Sequence, residues 1–388
     1  MEIYWLWLSM LPGVGPLLQK KLLEKFGSAA DVYHAGEGEL LNIEGMGEKL
    51  TRRLLAARSL DEAARMQEKV QRVGARLLVL TDPIYPSMVK SLPEAPAVLF
   101  YRGTMREQSC GVGIVGARRC TPYGKEVTRQ AATFLAQHGI PVISGMARGI
   151  DSYANTACLQ AGGYTLAFLG CGVDICYPAE HRDLMEAIVE RGAVLSAYPP
   201  GTEARPEYFP RRNFLISAWS YRLLVVEAAK KSGSLITAAL ALDLGRPVLA
   251  VPNSIYSRES TGTNALIAAG AASIYLHPQQ LLPLTQTVAG GGDGSERSGT
   301  EAVVNGKERP VAVTAEAAYC AQALTAPERE ILDLLADTDT PRSAEELAAR
   351  FNGDKKYFWE TLAVMVLEGK VESLPGGRIR SVGRDLKY

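Results

Sequence analysis

The sequence predicts an α/β protein built on a Rossmann-like, doubly wound and mostly parallel sheet. A helical domain of the helix-hairpin-helix or SAM-like kind precedes the sheet, and a winged-helix domain follows it. Three observations predict this. From Gly111 onward, short apolar runs alternate with segments of helical period, the pattern of strands covered by helices on both faces. The first 80 residues carry helical period without such runs. Beyond residue 284 a Gly/Ser-rich stretch leads to a last block of helical segments and two short β-like runs. At 388 residues the chain is too long for one ordinary domain.

Within 1–80, LPGVG at 11–15 precedes a helical run at 17–26, and IEGMG at 43–47 precedes one at 49–57. Each turn has the form hydrophobic–x–Gly–hydrophobic–Gly and feeds a helix with basic residues, Lys20 and Lys21 or Arg52 and Arg53. That resembles tandem helix-hairpin-helix turns, whose amides hold a nucleic-acid phosphate. Glycines that only cap helices, with lysines on a solvated face, would leave the same pattern.

The sheet domain is read over 81–284. Residues 81–105, with Pro83, Pro86, Pro93 and Pro96, form an extended lead-in that ends in the apolar segment 97–101. Strands are expected at 112–115, 141–144, 165–169, 193–196, 223–227 and 247–251, with a last one near 272–275. Residues 285–324, including AGGGDGSERSGT, read as a flexible linker. Over 325–388, helices at 325–336, 343–351 and 355–368 are followed by two strands turning at Pro375, a winged-helix pattern.

Net charge is zero, from 42 basic and 42 acidic residues, so no global polyanion signature exists. Its distribution is uneven: residues 106–284 hold 16 Lys/Arg against 13 Asp/Glu, whereas 325–388 hold 10 against 12. A polyanion site is therefore expected as a local patch in the middle domain. The negative balance of the last domain speaks against strong duplex binding, and a protein contact is at least as consistent with it. Six scattered cysteines without a CxxC pair, and four histidines that do not cluster with them, give no disulfide framework, metal site or cofactor. No apolar run reaches membrane-spanning length and the N-terminus lacks a basic n-region, so a cytoplasmic protein is expected.

The most informative stretch is SGMARGID at 144–151. A strand, a glycine turn and a helix follow one another there, so backbone amides at a helix start converge on one point, and Arg148 adds a forked donor. Four other turns fall at the same C-terminal edge of the sheet, where open parallel sheets bind ligands. They are GARR at 116–119, GCG at 170–172, FPRRN at 209–213 and KKSGSLIT at 230–237. Together they place Arg118, Arg148, Arg211, Arg212, Lys230 and Lys231 around one rim, with hydroxyls from Ser144, Ser232, Ser234 and Thr237. One such turn alone is more simply structural; five on one edge are harder to dismiss.

GVGIVG at 111–116 matches GxGxxG but does not sit as a dinucleotide motif does, because Gly111 and Gly113 precede or lie inside the strand. Catalytic groups are scarce. Cys171 lacks a convincing histidine partner and reads as core. Asp151 reads as a capping or loop-fixing carboxylate. Glu227 ends its strand within reach of the crevice, but one carboxylate is not an acid–base pair.

These blocks, in this order, resemble the DNA processing protein A family, which comprises bacterial single-strand DNA-binding recombination mediators of natural transformation. The resemblance spans about 83–282. It rests on IVGARRCTPYG, SGMARGID, AGGYTLAFLGCGVDICYP, GAVLSAYPPGT, FPRRN, LVVEAAKKSGSLITAALAL, GRPVLAVP and GTNALIAAGA. It implies a non-enzymatic Rossmann-like domain that forms a homodimer, binds single-stranded DNA in its basic crevice, displaces single-strand-binding protein and loads the RecA recombinase. Carried onto this sequence, the implied contacts are Arg118, Ser144, Gly145, Arg148, Gly149, Arg212, Asn213, Lys231, Ser232, Gly233 and Ser234, without base readout. The sequence departs from the family pattern at Ala117, Asn155, His181, Phe214 and Asn253.

Two other readings stand beside this one. Phosphoribohydrolases share the fold and carry a PGGxGT turn followed by a catalytic glutamate; here the turn is SGSLIT and continues into Ala238, so that acid is absent. A protein scaffold working through the linker and last domain is the other.

Overall fold

The computed structural model describes residues 2–107, 109–283, 326–336, 342–352, 358–359, 361–362, 365–366, 371–374 and 378–381. It forms two compact units, Met1–Gly294 and Ser295–Tyr388. The first begins with helices α1 (Glu2–Met10), α2 (Pro16–Phe26), α3 (Ala29–His34), α4 (Glu37–Leu41), α5 (Glu48–Ala56) and α6 (Asp61–Arg72). Pro16 opens α2, where its fixed φ suits the first helical turn and its missing N–H costs nothing. The two hairpin turns hold glycines at positive φ, Gly13 at 82° and Gly45 at 95°, a conformation that L side chains resist. Leu6, Leu8, Leu22, Leu40 and Leu54 close the helices over a common interior.

The sheet elements follow: β1 (Arg76–Val79), α7 (Ser87–Lys90), β2 (Val98–Gly103), β3 (Gly111–Val115), α8 (Pro122–Gln137), β4 (Val142–Ser144), α9 (Ile150–Gln160) and β5 (Thr165–Phe168). Then come α10 (Arg182–Arg191), β6 (Ala193–Ser196), α11 (Phe209–Trp219), β7 (Ser220–Val225), α12 (Gly233–Asp243), β8 (Val248–Ala250), α13 (Thr261–Ala268) and β9 (Ser273–Ile274). The strand order is β1-β2-β6-β5-β4-β3-β7-β8-β9. From β6 to β9 every pairing is parallel, whereas β1–β2 and β2–β6 are antiparallel. The chain winds outward from β3 in one direction and returns to β7 on its other side. The switch point therefore lies between the C-terminal ends of β3 and β7.

Alternation along the strands covers both faces. Val112, Ile114, Val142, Leu224 and Leu249 pack with Ala131, Ala132 and Leu135 of α8 and with Ala154 and Ala157 of α9. Ile143, Leu223, Val225 and Val248 belong to the opposite core with Leu215, Ile216 and Trp219 of α11 and Ala238 of α12. Trp219 is fully buried between Tyr85 and Phe168, with ring centroids 5.5 and 5.1 Å away.

All seven expected strands are present, with shifted ends; the run expected at 223–227, for example, is Ser220–Val225. Two further strands lay in segments predicted otherwise. β1 falls inside the region read as helical, and β2 inside the extended lead-in. β1 is four residues long, too short to show a period, and both strands are fixed by antiparallel partners distant in sequence.

In the second unit, α14 (Ala326–Ala336), β10 (Arg342–Ser343), α15 (Ala344–Arg350), β11 (Val371–Leu374) and β12 (Arg378–Ser381) surround Ile331, Leu335, Leu347, Phe358, Met365 and Ile379. The strands are antiparallel in the order β10-β12-β11. Ser343 and Glu346 form a reciprocal cap at the start of α15, at 3.1 and 3.3 Å. The expected linker at 285–324 and the expected wing turn after Leu374 lie outside the described residues. Among the described residues no helix is long and apolar enough to cross a membrane.

Candidate nucleic-acid interface

The loop after β3, carrying Arg118 and Arg119, opens at the switch point. Gly116 begins it because a Cβ there would lie 2.7 Å from Ile150 and 3.0 Å from the Glu227 carbonyl. Glu227 does not face the crevice. It is fully buried and accepts from the Thr121 amide at 2.9 Å and the Thr121 hydroxyl at 2.5 Å. Thr121 in turn caps α8 through Gly124 N at 3.2 Å. The carboxylate is thus a clamp that fixes the arginine loop.

The SGMARGID turn zips onto that loop. Ile150 N donates to the Ala117 carbonyl at 3.2 Å. Gly149 sits at φ 80° with its Cβ direction only 2.2 Å from the same carbonyl, and Met146 has a positive φ of 53°. Ser144, expected to offer its hydroxyl, is fully buried and donates to the Ile114 carbonyl at 2.7 Å. Its role is to pin β4 to β3. Gly145 is tight because a Cβ would lie 1.7 Å from Arg212 Nη1.

Arg212 is 6% exposed and pairs with buried Asp151, Nη1 to Oδ2 at 3.2 Å. Burial pushes the Asp151 carboxyl upward, against the pull of Arg212 and the amides of Gly145 and Ala147. Burial likewise pushes the Arg212 guanidinium downward, against Asp151. Arg212 Nε has no hydrogen-bond partner. The ring of Phe209 lies between two guanidiniums, 5.5 Å from that of Arg212 and 5.9 Å from that of Arg118. Arg148 is exposed and engages Glu180 through a fork, at 2.5 and 2.9 Å.

At the other wall, Lys230 and Lys231 are exposed. Ser232 caps α12, with its Oγ 2.8 Å from Ser234 Oγ, and Gly233 is exposed beside them. The crevice between the walls measures about 790 Å³ and is lined by Arg118, Arg119, Asp151, Arg212, Asn213, Lys230, Lys231, Ser232, Gly233, Ser234 and Arg258. A second cavity of about 460 Å³ shares Arg118, Arg119, Phe209 and Arg212 with it and adds Gly145, Arg148, Cys171 and Glu180. Burial pushes the Cys171 thiol up to about 12, as suits a core residue rather than a nucleophile.

Arg211 requires a correction. Expected on the rim beside Arg212, it lines instead an adjoining groove against the N-terminal helices, with its guanidinium 5.7 Å from the Tyr198 ring. Neighbours on a helix point about 100° apart, and here that step carries Arg211 out of the crevice that Arg212 and Asn213 line. Arg258 was missed. It precedes α13 in no recognisable motif, although the loop after β8 had to end at the same sheet edge. Arg119 and Phe209 were visible in GARR and FPRRN but not singled out. In the hairpin helices, Lys20 donates to the carbonyls of Lys90 and Leu92, Lys21 pairs with Glu44 at 2.7 Å, and Arg52 pairs with Glu48 at 3.1 Å. Three of the four expected basic residues there are therefore engaged within the protein.

A family model described as DNA recombination-mediator protein A matches residues 76–286. A SAM-like tandem helix-hairpin-helix model matches residues 8–58. Protein Smf of Synechocystis sp. is 38% identical over 286 residues, 72% of this chain and 72% of that protein. DNA processing protein DprA of Bacillus subtilis is 38% identical over 204 residues, 52% of this chain and 69% of that one. The structure of DNA processing protein A from Streptococcus pneumoniae superposes with a TM-score of 0.64 at 30% identity, covering 72% of this chain and 96% of that one.

Proposed function

The chain belongs to the DNA recombination-mediator protein A family, and from that premise we propose that it binds single-stranded DNA irrespective of sequence and loads RecA onto it, displacing single-strand-binding protein. The observation that carries the reading is the convergence of Arg118, Arg119, Arg212, Lys230, Lys231 and Arg258 on one crevice at the sheet's switch point. Guanidiniums, ammoniums and turn amides recognise phosphates, and a phosphate grip is indifferent to sequence, as a loader on arbitrary DNA requires. The proposed direct contacts are Arg118, Arg148, Arg212, Asn213, Lys230, Lys231, Ser232, Gly233 and Ser234, with the amides of Arg148 and Gly149; Gly145 holds Asp151 through its own amide. Ser144 acts behind them, pinning β4 to β3, and Arg211 lies outside this phosphate set.

The same reading makes the protein a homodimer without a catalytic step. Two of the carboxylates at the site are held by arginines, Asp151 by Arg212 and Glu180 by Arg148. It takes 325–388 as a winged-helix domain, consistent with two described helices against a three-stranded antiparallel sheet.

Fluorescence anisotropy of a labelled oligothymidine, single-stranded and then duplex, tests the binding. Salt-sensitive binding that favours the single strand is expected. No binding of the single strand at low salt would overturn the reading and direct attention to small nucleotides. Loading is tested by RecA assembly on strands coated with single-strand-binding protein, which should accelerate when this protein is added. An unchanged rate would leave a binder that does not load.

A further inference from the structure

A phosphate grip alone does not separate a single strand from a duplex, because both carry the same backbone charge. A second feature supplies the missing discrimination. Between α2, the N-terminal half of α11 and the middle of α12 runs a groove of about 660 Å³, within the size range of small-ligand sites. Its walls are largely apolar, formed by Leu17, Leu18, Phe214, Leu240, Pro210 and Ile236, and its lining also includes Glu94 and the Lys21–Glu44 pair, 2.7 Å apart. Leu17 and Ile236 are 49% and 50% exposed, a large solvent share for such side chains. Pro210 and Ile236 line the basic crevice as well, so the groove adjoins the crevice. Arg211, rejected from the phosphate rim, stands in this wall.

We propose that the groove receives unstacked bases of the same strand whose phosphates lie in the crevice, which rests on the strand-binding reading above. Apolar side chains and the guanidinium plane of Arg211 accept the face of any base, so the contact is blind to sequence. A duplex keeps its bases paired and stacked inside, and cannot enter. The N-terminal helices then serve the site as one wall of a base groove, not as a second phosphate clamp.

The experiment compares a labelled oligothymidine with an abasic deoxyribose-phosphate oligomer of equal length, for wild type and the Leu17→Ser/Leu240→Ser variant. Wild type should bind the oligothymidine at least roughly fivefold tighter than the abasic oligomer, the lower end of one stacking contact. The variant should bring the two affinities together while leaving abasic binding and its salt dependence unchanged. Melting curves of the variant report whether it is folded, and Leu17→Ser alone, at an exposed position, repeats the comparison should the pair be unstable. A ratio unchanged in the folded variant would overturn the groove and spare the crevice. Loss of self-association with unchanged DNA affinity would assign the groove to a second copy of the chain. If wild type binds neither oligomer, both readings fail together.

Discussion

Replacing Arg212 with alanine is expected to destabilise the protein by about 3–5 kcal/mol, because it leaves the Asp151 carboxylate buried without its partner. For a domain of this size that lowers the melting temperature by roughly 6–20 °C. Asp151 also accepts from the amides of Gly145 and Ala147, so the SGMARGID turn loosens with it. The cost should shrink when Asp151→Asn is added, since the orphaned charge is then gone and the two sites are coupled. Thermal unfolding followed by circular dichroism checks both statements. An unchanged melting temperature in the single variant would mean that the pair is not buried as described. Loss of DNA binding in this variant is therefore weak proof of a phosphate contact, however attractive the arginine looks in FPRRN.

Gly149→Val should be the second severe change, and for a backbone reason. At φ 80° and ψ −133° the residue occupies a region reserved for glycine, and any Cβ there meets the Ala117 carbonyl at 2.2 Å. Occupying such a conformation costs of order 1–3 kcal/mol, and relieving the collision parts the two loops that carry Arg118 and Arg148. Affinity for a single strand should fall by about an order of magnitude or more, together with a lower urea midpoint. Gly233→Ala is the control: nothing lies within 4 Å of its Cβ direction and its φ is not positive, so its unfolding curve should superpose on wild type. Equal stability of the two variants would refute the zipped-loop description.

Alternating apolar runs marked seven strands because each is a local signal, bounded by its own turn. The same local reading brought Arg118, Arg148, Lys230 and Lys231 to one edge, since in a parallel sheet every strand-to-helix turn exits on the same side. What escaped depends on direction or distance. Ser144 turns inward to a carbonyl of the neighbouring strand, and Arg211 diverges from Arg212 by one helical step. Glu227 reaches 106 residues back in sequence to hold Thr121, a pairing no motif encodes. β1 and β2 were hidden for the same reason, since an antiparallel edge is defined by its partner.

The claim that the crevice holds DNA phosphates is tested most directly by the salt dependence of oligothymidine binding for wild type and Lys230→Ala/Lys231→Ala. Both lysines are exposed, so the variant should melt with wild type. Each phosphate contact to a single strand contributes about 0.7 to the slope of log affinity against log salt. The double variant should therefore show a slope shallower by about 1.4, with weaker binding at low salt. An identical slope and affinity would place the phosphates elsewhere and contradict the account.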